Sequence, residues 1–252
     1  MKLLKVVANK FKLCDKDFTI SFVPTGNKTV ADKEFELQEI AEDLYVFSTL
    51  GVIGKNASGK TTTVELLSVV YDIFSYFRIN GSKNIFKFIE NDISLDITFY
   101  HEGTVYRYLT LPEDTSILYL LFKDISLRGI YCPSDDYMYR DYSKAFNIYK
   151  LLDNNLYIIT SLLKMFDEHL DNIKMINENK YRIIYTNGHS KDVSNSELYE
   201  ILSSGTTKGF GLFTFVVYSL RTGTDLIIDE IENHFHKTLV ENLVNLYKDK
   251  SV

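Results

Sequence analysis

The order of apolar and polar positions predicts strands first, then helices. Leu3–Ala8 and Phe18–Phe22 are apolar-rich runs separated by a polar turn, which predicts a hairpin. Tyr45–Ile53 is apolar with β-branched members and predicts a buried strand running into glycine-rich Gly54–Gly59. The period then changes: Val64, Leu67, Val70, Tyr71 and Phe74 recur at helical spacing and predict a helix over Thr61–Phe77. Ile93, Leu95, Ile97 and Phe99 alternate with Ser94, Asp96, Thr98 and Tyr100. With the Glu102-Gly103 turn and the returning run Thr104–Leu111 they predict a hairpin with one wet face. Tyr137–Asn172 reads as helix-rich, and Tyr181–Tyr185 with the Asn187-Gly188 turn as another hairpin. Phe210–Leu220 is apolar nearly all round, the pattern of a buried helix. Leu226–Ile228 reads as a short buried strand ending in Asp229-Glu230, and Thr238–Tyr247 as an amphipathic helix. Together these predict an α/β core, Met1–Phe77 plus Ser196–Val252, with a mixed antiparallel and helical insertion over 78–195.

Composition narrows the class. An apolar share of 45% beside 25% charged residues is that of a soluble globular protein, and 252 residues suit one large domain, 1–252. The formal net charge of -6 argues against a surface devoted to nucleic acid, though not against a local basic groove. No apolar run is long enough to span a bilayer, and Met1–Lys5 leads into no signal-peptide pattern. Cys14 and Cys132 lie far apart without a CxxC, which reads as a reduced, cytoplasmic protein. Tyrosine and phenylalanine are abundant but not interleaved with Arg and Lys, so a biased genome explains them better than base-stacking platforms do.

One stretch carries chemistry by itself. Gly54-Lys55-Asn56-Ala57-Ser58-Gly59-Lys60-Thr61 satisfies G-x-x-x-x-G-K-[ST] in full. Glycines let the backbone curl so that N–H groups face phosphate oxygens, and the following helix adds its positive end. Lys60 brings a point charge for the β- and γ-phosphates, and the Thr61 hydroxyl is a Mg²⁺ ligand in such loops. Asp229-Glu230, after apolar Leu226–Ile228, has the form of a Walker B pair: one carboxylate for Mg²⁺ and one to orient or deprotonate water. Leu202-Ser203-Ser204-Gly205-Thr206 is, on its own, an ordinary helix N-cap. Its place two dozen residues before Asp229 opens a second reading, as an LSGGQ-like signature.

Taken together, the GxNxSGKT loop, LSSGT and Asp-Glu-Ile-Glu-Asn-His-Phe-His resemble the AAA-family ATP-binding proteins of the ABC/SMC/RecF class. That class includes the ATPase part of overcoming-lysogenization-defect nucleases and several phage-resistance and retron-associated ATPases. The similarity runs over nearly the whole chain. It implies a P-loop core of the ABC/SMC head type with an antiparallel β subdomain and an inserted helical subdomain. It also implies Mg²⁺-dependent ATP hydrolysis by a head-to-tail homodimer, in phage defence or DNA maintenance. ATP held by Gly54–Thr62 of one copy would meet Ser203, Ser204 and Gly205 of the other. Glu230 would be the general base, and Thr61 with Asp229 would hold Mg²⁺. Asn56 matches the family's loop asparagine, and an adenine-stacking residue is expected from the first strands, with Phe11 as one candidate. An effector protein, a nuclease or nucleic acid are the partners that the class suggests.

The chain departs from that pattern in three ways. Its one glutamine, Gln38, precedes the glycine loop, so the Q-loop glutamine is missing. Lys237 stands where relatives usually have proline. The chain stops at Val252, before the family's next strand and its switch histidine. That strand is central in the family's sheet, so the expectation is a fragment, or a slot filled by another segment, with low isolated ATPase activity. Two rivals stay open: the nucleotide-binding subunit of an ABC transporter, and a nucleotide-gated binding module with little hydrolysis. His234 and His236 suggest a metal, but no third ligand is evident nearby.

Overall fold

Alternation in the first hundred residues builds an antiparallel sheet, seen in a computed structural model of the chain. The structure describes residues 1–12, 14, 16–76, 93–110, 129–132, 155–177 and 180–249. The chain divides into two compact units, Met1–Gly129 with Asn242–Val252, and Ile130–Glu241.

The first unit contains β1 (Lys2–Asn9), β2 (Phe18–Ser21), β3 (Leu37–Ala41), β4 (Leu44–Phe47), α1 (Lys60–Tyr76), β5 (Ser94–His101) and β6 (Thr104–Thr110). Its larger sheet has the order β2-β1-β5-β6, with every neighbouring pair antiparallel. One face is apolar: Leu3, Val6, Ala8, Leu95, Ile97 and Phe99 are all buried. The β5–β6 turn is left-handed at both Glu102 and Gly103, the geometry of a tight hairpin. Helix α1 buries Leu66, Val70, Ile73 and Phe74. The Phe74 ring meets Phe99 of β5 edge-on at 5.0 Å and Tyr108 of β6 at 5.7 Å, which seats the helix on the sheet. Removing a buried ring of this kind costs about 3–5 kcal/mol. β3 and β4 form a separate antiparallel pair around buried Tyr45, whose ring has Lys28 and Lys33 ammonium groups at 4.6 and 4.9 Å from its centre.

The predicted strand Tyr45–Ile53 is therefore cut short. Only its first residues belong to β4, which ends at Phe47. Leu50–Ile53 has no strand conformation, and Ile53 is 96% exposed. Apolar side chains alone do not make a strand; the backbone N–H and C=O groups need a neighbouring ladder, and none of the described residues supplies one. Phe11 is also corrected. It is 1% exposed, inside the core of this unit, and its ring cannot stack on a base.

The second unit contains β7 (Gly129–Cys132, from its second residue), α2 (Leu156–Phe166), β8 (Leu170–Asn177), β9 (Lys180–Tyr185), β10 (Ser190–Ser194), α3 (Asn195–Ile201), α4 (Ser204–Thr222), β11 (Asp225–Ile228), α5 (Ile231–His234) and the start of α6 (Lys237–Lys248). β8, β9 and β10 form an antiparallel sheet of order β10-β9-β8, and β7 pairs with β11. Helix α4 buries Phe210, Leu212, Phe213 and Val216, as its apolar pattern predicts. Its C-terminus stops at Gly223, which takes the left-handed conformation that glycine adopts without strain.

Two sequence expectations change in this unit. The helical reading of Tyr137–Asn172 holds over Leu156–Phe166, while Leu170–Asn177 is strand β8; positions 137–154 lie outside the described residues. Strand β11 is half-buried along its length rather than buried. Among the described residues, no helix is long and apolar enough to cross a membrane.

Candidate functional site: a glycine loop, a carboxylate turn and a helix N-terminus

The glycine loop of the first unit folds back on itself. Ser58 N–H donates to the Lys55 carbonyl at 3.1 Å, the one backbone hydrogen bond closed inside the loop among the described residues. Ala57 and Gly59 both have left-handed backbones, φ 62° and 91°. For Ala57 this conformation costs roughly 1–2 kcal/mol, strain of the kind that accumulates at ligand-holding loops. Gly54 is favoured sterically: a Cβ there would stand 3.2 Å from Ser58 Cβ and closer still to its hydroxyl oxygen, so the Ser58 side chain would have to shift. Helix α1 starts at Lys60, and Thr63 donates to the Gly59 carbonyl through both its N–H and its hydroxyl.

Lys60 closes this arrangement. Its Nζ donates to the Gly54 carbonyl at 2.8 Å and to the Lys55 carbonyl at 3.2 Å, spanning the loop. Exchange of these neutral carbonyls for an anion's oxygens adds the attraction of opposite charges to the ammonium's hydrogen bonds. The first turn of α1 carries no acidic residue that would repel such an anion. Gly54–Ser58 and Thr61 are exposed, so an incoming group has access. These features fit a polyphosphate, and the Thr61 hydroxyl beside them fits a hard cation such as Mg²⁺.

The carboxylate pair lies in the second unit, at the end of β11. Asp229 is 6% exposed, and its N–H donates to the Cys132 carbonyl of β7 at 2.9 Å. Glu230 is exposed and left-handed, φ 49° and ψ 47°, at the N-cap of the short helix α5. Two bonds from Asn233 latch it: the Asn233 N–H to the Glu230 carbonyl at 2.8 Å, and the Asn233 side-chain amide to Glu230 Oε2 at 2.8 Å. Asn233 was not foreseen, although three residues into a helix is where a side chain reaches back to the cap.

The LSSGT segment, also in the second unit, opens the 19-residue helix α4. Ser203 is its N-cap: its hydroxyl accepts from Thr206 N–H at 3.1 Å and lies 2.8 Å from the Thr206 hydroxyl. The ordinary capping role is thus filled. Ser203 and Gly205 are nevertheless exposed, and no acid occupies the first turn, so the positive end of a long helix stays open. A capping box, Ser194 with Glu197, starts the preceding helix α3. Backbone and hydroxyl donation from Ser194 holds the Glu197 carboxyl below the usual range.

Among the described residues, no group of three or more His, Cys, Asp or Glu gathers as a metal cluster; the His236 ring accepts from Thr238 N–H at 3.5 Å, and its carbonyl accepts from the Leu239 and Val240 N–H groups. Comparison with protein-family models and with curated proteins found no match to this chain.

Proposed function

We propose that this chain binds Mg²⁺–ATP and hydrolyses it as a head-to-tail dimer of the ABC/SMC type. The observation that carries the reading is the loop at Gly54–Lys60: a strained turn, a lysine held across it by two carbonyls, and an acid-free helix N-terminus behind it. A phosphate cradle accounts for all three.

The roles follow from the chemistry of each side chain. Gly54, Lys55, Asn56, Ala57, Ser58 and Gly59 would offer backbone to the phosphates, and Lys60 its charge. Thr61 and Asp229 would hold Mg²⁺, with Thr62 next to the phosphates; the cation would neutralise charge that develops on the phosphate oxygens. Glu230 would take the proton of the attacking water, and its latched, left-handed turn supports that assignment because it fixes where the carboxylate points. Ser203 and Gly205 would donate to the γ-phosphate held by the second copy. Phosphate release from Mg²⁺–ATP tests the proposal. The unaltered chain should release phosphate, and Lys60→Ala and Glu230→Gln should not. Release by Lys60→Ala at the unaltered rate contradicts it.

A further inference from the structure

An aromatic cluster joins two segments of the second unit that the proposed reaction uses separately. Phe166, the last residue of α2, meets Phe213 of α4 edge-on at 5.5 Å between ring centres. It also stacks on Phe235 at 6.2 Å, and Phe213 meets Phe235 at 5.8 Å. Phe235 is the C-cap of α5, the short helix whose N-cap is Glu230, and its N–H donates to the Ile231 carbonyl. Phe166 also fits against Gly209 of α4, one turn before Phe213 on the same helix. A Cβ at that position would stand 2.5 Å from two ring carbons and closer to a third, so only glycine leaves room for the ring. The Phe166 carbonyl accepts from the Thr206 hydroxyl at 3.4 Å, and that hydroxyl is bonded to Ser203.

We infer that Phe166 is a positioning residue that couples the N-terminus of α4 to the turn carrying Glu230. The inference rests on the roles proposed above for Ser203 and Glu230. The physical basis is contact continuity. Ser203, Thr206, Phe166 and Phe235 touch in sequence, the rings are close-packed, and close-packed groups shift together rather than deform. Movement of the α4 N-terminus when Ser203 and Gly205 engage a phosphate therefore displaces the Phe166 ring and, through Phe235, the α5 turn. Glu230, already in a strained conformation, responds to that displacement. Contact alone does not couple two sites; both must bias one element with two arrangements, and in this inference that element is the Glu230 turn, whose opening the exchange experiment reads.

Hydrogen exchange tests this without requiring hydrolysis. Asn233 N–H and Phe235 N–H, bonded to the Glu230 and Ile231 carbonyls, report on the turn; the β8–β9–β10 amides report on the rest of the unit. Gly209→Ala, which forces the ring aside, and Phe166→Leu, which keeps apolar bulk but removes the stacking plane, should each speed exchange at Asn233 and Phe235 by roughly tenfold. The sheet amides should change little. In the same variants kcat for ATP should fall by roughly tenfold while ATP affinity stays within about twofold, a split that general loss of stability does not produce. Unchanged exchange at the turn in folded variants overturns the inference, and so does exchange that rises equally across the sheet. A chain that hydrolyses no ATP defeats the proposed function but leaves the exchange comparison able to decide the coupling.

Discussion

Gly54→Ala probes the glycine loop with a perturbation that the structure sizes. The new Cβ would lie roughly 1 Å inside ordinary contact with Ser58 Oγ and 3.2 Å from Ser58 Cβ. The hydroxyl can rotate away, because it is the free end of a short side chain. A side chain driven off its preferred rotamer costs about 0.5–1.5 kcal/mol, and that energy is spent in the loop conformation that would hold phosphate. Mg²⁺–ATP should therefore bind roughly two- to tenfold more weakly. The loop is exposed and closes no core, so the melting temperature should hardly move. Ser58→Ala removes the worse of the two clashes and leaves only the 3.2 Å approach, which a shift of a few tenths of an ångström relieves. The double variant Gly54→Ala/Ser58→Ala should recover most of the lost affinity. Isothermal titration of the unaltered chain and the three variants supplies the numbers. Equal affinity in Gly54→Ala, or no recovery in the double variant, refutes the steric reasoning.

Other outcomes follow from the same geometry. Glu230→Gln keeps the shape of the turn and removes the base, so hydrolysis should fall by roughly 10²–10⁴ while binding persists; light scattering with ATP should show a trapped dimer, and a monomer that hydrolyses normally contradicts the assignment. A mixture of Ser203→Arg and Lys60→Ala chains should regain one composite site and part of the activity, since removal of one transition-state donor alone costs about 3–4 kcal/mol; no recovery argues against donation in trans. Asp96 accepts two hydrogen bonds from the Arg107 guanidinium, at 2.9 and 2.6 Å, which hold its carboxyl below the usual range. A depressed folded pKa stabilises above the unfolded value of about 3.9 and is lost as pH falls through the folded one. Asp96→Asn should therefore lower the melting temperature at pH 7, and the difference should vanish in acid below that window.

What could be read from the sequence depended on whether the signal was local. The hairpin Ser94–Thr110 was legible because its alternation is unbroken and Glu102-Gly103 can turn left-handed. Helix α1 was legible because its helical spacing persists from Val64 to Phe74, and α4 because Phe210–Leu220 is apolar nearly all round over a length too great for a strand. The helical reading of Tyr137–Asn172 runs into the first residues of β8, Leu170–Asn172, where an irregularity in the pairing breaks the alternation that marks a strand. Leu50–Ile53 forms no strand because apolar residues show what could be buried, while a strand also needs a neighbour's backbone. The same division holds at the candidate site. Lys60 bonds carbonyls five and six residues away, within reach of a motif. Phe166 meets Gly209 across 43 positions of sequence, and nothing near either residue announces the other.

The central claim is that Gly54–Thr62 holds the phosphates of ATP, and a Mg²⁺–ATP titration of the unaltered chain beside Lys60→Ala tests it most directly. Lys60 Nζ bonds two loop carbonyls, so its loss leaves the hydrophobic core untouched, and both proteins should melt at similar temperatures. The unaltered chain should bind ATP with saturation at one site per chain, and Lys60→Ala should show no saturable binding. Equal affinity in the two proteins, or no binding by either, contradicts the claim.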